Sequence, residues 1–89
     1  MKIEEFELVE CETIPTNIDD GKLYYSRKYG TATHLCAGGC GLMVVTPCKP
    51  EFWTMKVNDG KPTLSPSIGN FQLPCKSHYF IRDGKVVWC

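Results

Sequence analysis

YFIRDGKVVW, residues 79–88, decides the fold class. Two runs of bulky, β-favouring side chains flank Asp83-Gly84. A two-residue Asp-Gly connection suits the positive φ angles of a tight hairpin turn. Working backwards, residues 52–57 and 62–64 flank Asn58-Asp59-Gly60-Lys61, which predicts a second hairpin with a slightly longer loop. Residues 31–36 and 42–46 flank a glycine cluster, residues 22–29 are rich in tyrosine, and Asp20-Gly21 marks a further turn. At the start of the chain, residues 3–9 alternate Phe6 and Leu8 with Glu5 and Glu7. No window of a dozen residues between 42 and 89 keeps a 3.6-residue apolar period. The expectation is an all-β chain: a small sheet or barrel built of hairpins, with residues 1–89 forming a single domain.

The 89 residues permit only a small core, because a chain of this length buries about 60–65% of its unfolded surface. A staple is therefore expected. Net charge is zero, which argues against a nucleic-acid partner held through phosphates. The charges are unevenly placed. Residues 1–20 hold seven acidic side chains and only Lys2, whereas residues 21–89 hold nine Lys or Arg against Glu51, Asp59 and Asp83. The expected arrangement is an acidic N-terminal strand lying against a basic body; the alternative is a basic face left for an acidic partner. Met1–Glu10 has neither a basic head nor an apolar run, and no stretch approaches the length of a membrane helix. The chain is thus expected in the cytoplasm without a membrane partner. Thiols stay reduced there, so six cysteines point to a metal or to reactive thiols rather than disulfides.

His34-Leu35-Cys36-Ala37-Gly38-Gly39-Cys40-Gly41 is the most unusual segment. Glycines between cysteines let the backbone fold tightly enough for two thiolates to meet one ion, and zinc takes four such ligands tetrahedrally. Cys75 and His78, about 35 residues on, supply a second pair at CxxH spacing. Against this stands the tendency of free cysteine to be buried simply as a small apolar residue.

A second constellation lies at Leu64-Ser65-Pro66-Ser67-Ile68-Gly69-Asn70. The prolines and glycine around Ser67 imply a stiff, turned loop, which is what a nucleophilic hydroxyl needs to meet its base at a fixed angle. Ile68, Gly69 and Asn70 are candidate donors to an oxyanion. His78 or His34 could take the serine proton, since imidazole titrates near neutral pH. The plainer reading is a turn in which serine hydroxyls bond local backbone. There is no GxSxG elbow.

HLCAGGCG (34–41), VVTP (44–47), LSPSIGN (64–70), PCKSHYFI (74–81) and KVVW (85–88) closely resemble a small bacterial family encoded in Bub-type, ubiquitination-like operons linked to phage defence. The resemblance covers nearly the whole chain. It implies a serine peptidase that trims or releases a ubiquitin-like protein, with Ser67 as nucleophile, His78 as base and His34 as the third member orienting it. The family's pattern is HxCxCGCG, so Gly38 stands where a cysteine is usual. Zinc is then expected on Cys36, Cys40 and Cys75, with Cys48 as a replacement for the missing thiolate. Alternatively a histidine is a ligand and the catalytic set loses a base.

The expected partners are the ubiquitin-like substrate and its conjugation enzymes. A rival reading is a non-enzymatic, zinc-bearing adaptor of that machinery, and a third is a thiol-redox or sulfur-transfer protein. Ser67 Oγ within hydrogen-bond reach of a metal-free histidine discriminates in favour of the enzyme.

Overall fold

The computed structural model describes residues 2–89 and is all-β. Strands β1 (Glu7–Glu10), β2 (Lys22–Ser26), β3 (Thr31–Leu35) and β4 (Met43–Pro47) form one sheet in that order. Strands β5 (Thr54–Asn58), β6 (Lys61–Gly69), β7 (His78–Arg82) and β8 (Lys85–Trp88) form a second. Every pairing is antiparallel except that of β1 with β2. The sheets stay separate and do not close into a barrel. One core cluster draws on both, with Leu23, Ala32 and Val44 from the first and Leu64, Ile68, Tyr79 and Ile81 from the second. Among the described residues no helix is long and apolar enough to cross a membrane.

Turn chemistry sets the registers of the second sheet. Asp83 and Gly84 both hold positive φ, so β7 and β8 pair tightly from Arg82↔Lys85. Asp59 and Gly60 do the same between Asn58 and Lys61, which pair directly. The second hairpin therefore has a two-residue turn rather than the longer loop expected. Asp20-Gly21 closes no hairpin; its turn starts β2, and Gly21 accepts a bond from Glu7 N. The outer edge of β8 is covered by the N-terminal segment, through Val86 N to Glu4 O and Phe6 N to Gly84 O. Covering an edge in this way removes a row of unpaired donors and acceptors.

The main departure from expectation is β6. The serine-proline stretch does not leave the sheet as a loop but stays in the strand through Gly69. Its pairing jumps from Leu64↔Ile81 to Ile68↔Tyr79, so four steps on β6 match two on β7. The surplus residues form a bulge containing Pro66 and Ser67. Proline is tolerated in a strand at such places, where no ladder donor is needed. A bulge also re-aims a side chain, and Ser67 is the residue it presents.

The charge asymmetry resolves in part as expected. Glu10 pairs with Arg27 at 2.6 Å and Glu12 with Lys28 at 2.9 Å, so the acidic start lies against cations of the first sheet. The cations of the second sheet have no such partners among the described residues.

Candidate active site and thiol cluster

Alternation along β7 separates two environments. Tyr79 and Ile81 point into the core, while His78, Phe80 and Arg82 face outward. Ser67 projects from the β6 bulge onto that same outer side. Its Oγ lies 2.8 Å from His78 Nε2, within hydrogen-bond distance. The His78 ring is braced by Phe71, edge to face at 5.2 Å. Phe71 in turn folds over Gly69, where an added Cβ would lie 2.6 Å from its ring. Ser77 points the opposite way, as neighbours on an extended chain must: it is buried and its Oγ meets Cys36 Sγ at 3.0 Å.

His34 does not join this pair. It is fully buried on β3, and its Nε2 lies 2.7 Å from the Tyr79 hydroxyl. Burial pushes its pKa down to about 3, so the imidazole is neutral at pH 7. The physical reason is strand parity: Ala32, His34 and Cys36 share the face that packs on Tyr79 and Phe6. The third-member role implied by the resemblance thus finds no bond from His34 to His78.

Tyr79 organises the interior instead. Its oxygen accepts from Ala37 N at 3.3 Å and from Asn70 Nδ2 at 3.2 Å. Burial holds its pKa up to about 12, so the phenol keeps its proton, which points to His34 Nε2. His34 Nδ1 is buried with no hydrogen-bond partner among the described residues. Tyr79→Phe therefore strips from His34 its one hydrogen-bond partner among the described residues, and an acceptor from each of Asn70 Nδ2 and Ala37 N. It should cost about 2 kcal/mol, the usual penalty for orphaning buried polar groups, read as a lower urea midpoint with an unchanged m-value.

Asn70 is also withdrawn from the oxyanion role expected of it. Its side-chain amide serves Cys36 Sγ, Ser77 Oγ and Tyr79, and its backbone N–H donates to Ser77 O at 2.7 Å. It fastens the 70–78 segment that delivers His78.

Cys36, Cys40 and Cys75 come together with their sulfurs all within 4.8 Å of one another. Cys36 and Cys75 approach to 3.1 Å. Tetrahedral zinc with bonds near 2.3 Å needs sulfurs about 3.8 Å apart, a small adjustment from this arrangement. Bonding from Cys36, then from Cys40 and Ser77, brings the Cys75 pKa down to about 7 against the opposing effect of burial. A thiol so placed is ready to ionise, as metal binding requires. The cluster could thus hold a metal ion, with Asn70 and Ser77 as outer partners that fix the Cys36 sulfur.

Cys48 is not part of this cluster. Its Sγ is turned to Thr46 O at 3.5 Å, beside Tyr25 and Trp53 on another flank. Neither histidine belongs to the cluster, so thiol and imidazole chemistry do not compete for the same residues. At Gly38 an added Cβ would sit 2.6 Å from Cys75 Sγ. The bare glycine leaves the room that Cys75 occupies beside the other two thiols.

A family model described as "Bacterial ubiquitination-like system serine protease (BubE)" matches residues 10–89. The chain belongs to this family. Searches of curated proteins and of solved structures return no match. The family is thus one of serine proteases in a bacterial ubiquitination-like system, in agreement with the resemblance drawn from the sequence blocks.

The residues that sequence reasoning missed are Tyr79, Asn70 in its fastening role, and Phe71. The alternation of Tyr79 with Ile81 was a signal for an inward phenol. Phe71, exposed beside the serine stretch, carried none.

Proposed function

We propose that this chain is a serine peptidase in which Ser67 is the nucleophile and His78 its base, acting on the C-terminal tail of a ubiquitin-like protein. The observation that carries the reading is the 2.8 Å approach of Ser67 Oγ to a histidine nitrogen that no thiol cluster claims. His78 Nε2 takes the hydroxyl proton as Oγ attacks the carbonyl carbon, giving a tetrahedral oxyanion. The imidazolium then returns that proton to the departing amine, leaving an acyl ester on Ser67. Water, deprotonated by the same nitrogen, cleaves the ester and restores the hydroxyl.

His34 has no step in this sequence. Phe71 supplies orientation by restricting the His78 ring, and the dyad works without an acidic third member.

The thiols Cys36, Cys40 and Cys75 are assigned to structural zinc. When bound, zinc would cross-link the 36–40 turn to the 70–78 segment. Its contribution is therefore to the placement of His78, not to the bond being broken. Incubation of the chain with a C-terminally extended ubiquitin-like protein of the same system, followed by intact mass, should show loss of the extension at one bond. An unchanged precursor mass at equimolar enzyme would count against the substrate assignment.

A further inference from the structure

The outer face of the second sheet carries a row of cations. Lys56 on β5 pairs with Thr63 on β6, and Arg82 on β7 pairs with Lys85 on β8. Leu64↔Ile81 places Thr63 and Arg82 in adjoining register, and Asp83 N donates to Thr63 Oγ1. Lys56, Thr63, Arg82 and Lys85 therefore cross all four strands in a single row, about 4.8 Å from strand to strand. Lys61 lies one step further along β6 on the same face.

The lysines and Arg82 are all exposed. Ion pairs among the described residues involve only Lys22, Arg27 and Lys28, all belonging to the first sheet or its turns. Asp59 and Asp83 stand in the nearby turns, and neither is paired with a cation of the row. Arg82 directly opposite Lys85 is a like-charge pair, which costs stability in a hairpin. Glu5, bridged opposite Lys85 from the N-terminal segment, bounds the row with one acidic side chain at its β8 end.

The next row towards Ser67 and His78 is apolar. Phe80 pairs with Val87, and the Arg82 guanidinium lies 4.3 Å over the Phe80 ring. From His78 to Arg82 is four residues of extended chain, or about 13 Å. The face thus reads, in order, hydroxyl and imidazole, apolar pair, cation row.

We propose that this face is the docking surface for an acidic polypeptide, whose carboxylates meet Lys56, Arg82 and Lys85 about four extended residues from the bond held at Ser67. Its purpose rests on the hydrolase reading; its existence does not. Long lysine and arginine stems let cations at these positions reach carboxylates two residues apart on an extended chain, about 6.6 Å from one another. The apolar pair supplies contact area between the charged end and the reacting end. Charge complementarity raises the rate of encounter and fixes the register of the bound chain.

The test is binding, read by fluorescence anisotropy with the whole chain and fluorescein-labelled hexaglutamate at 50 mM salt. Labelled hexaserine is the uncharged comparison. Hexaglutamate should bind at least tenfold more tightly than hexaserine. The preference should fade at 300 mM salt, where exposed charges are screened. The pair Arg82→Glu and Lys85→Glu should weaken binding tenfold or more. Arg82→Gln, a milder change that keeps most of the stem over Phe80, should weaken it in the same direction by severalfold. Lys49→Glu, a reversal on the loop before β5, should leave it within twofold. Equal binding of the two peptides overturns the proposal. So does an effect of Lys49→Glu as large as that of the double reversal, or tighter binding of a labelled six-nucleotide single-stranded DNA. Turnover of p-nitrophenyl acetate by the unaltered chain and its Ser67→Ala variant tests the hydrolase reading separately, so either can fail alone.

Discussion

Ser67→Ala should abolish hydrolysis while leaving the fold intact. Removing a true nucleophile costs several orders of magnitude in kcat, roughly 10^4 or more, with only background from binding and polar contacts left. The residue sits in a β6 bulge, half-exposed, and Ser67 Oγ makes its one side-chain bond to His78 Nε2. Losing that bond should cost about 1 kcal/mol or less, because both groups can turn to water. Initial rates on p-nitrophenyl acetate and urea midpoints, measured on the same preparation, separate the two effects. A turn serine would show the opposite pattern, with stability lost and turnover kept. Ser65, two residues earlier on the strand, offers the control: it has no bond to a histidine, and Ser65→Ala should keep its rate.

The second large effect should come from the metal. Protein purified without chelator should contain about one equivalent of zinc, and stripping it should unfold the domain. The reasoning is one of size. The core is a single small cluster, and the 70–78 segment is held to the rest mainly through Cys36, Cys75, Ser77, Asn70 and Tyr79. Without an ion, three sulfurs crowd together at one end of that core; with it, the same groups become a cross-link between segments about 35 residues apart. Cys75→Ser should lose the metal and lower the urea midpoint by an amount corresponding to several kcal/mol. Cys48→Ser, outside the cluster, should retain the full equivalent. A metal-free protein of undiminished stability would remove zinc from the account.

Much of the fold was legible because its punctuation is local. Asp59-Gly60 and Asp83-Gly84 each dictate a turn regardless of what packs on the sheet, so both hairpins could be placed within a residue or so. The path of β6 was not legible. Proline argues against a strand; β5 pairs β6 as far as Ser65, and pairing of Ile68 and Gly69 with β7 beyond a bulge carries the strand on to Gly69.

The site divides in the same way. Cys36 with Cys40, and Cys75 with His78, could be paired from short spacings, since each half-site is a local feature; that Cys75 joins the first pair without His78 followed only from the resemblance. Cys48 could not be excluded by any local rule: it leaves the cluster because β4 carries it to the other flank. His34 and His78 look alike in the sequence, and both could serve a serine. Their separation comes from strand parity, which turns His78 out to Ser67 and His34 in to Tyr79. Ser77 shows that the parity rule works once the strand is placed, because the residue beside His78 does face the thiols.

The most direct test of the central claim needs no substrate. The chain should be treated with a fluorophosphonate, digested and mapped by mass spectrometry. A hydroxyl activated by His78 should yield one adduct, on Ser67, lost in His78→Ala while the metal content stays the same. No adduct, or one on Ser65, Ser77 or a cysteine, would contradict the assignment of Ser67 as the nucleophile.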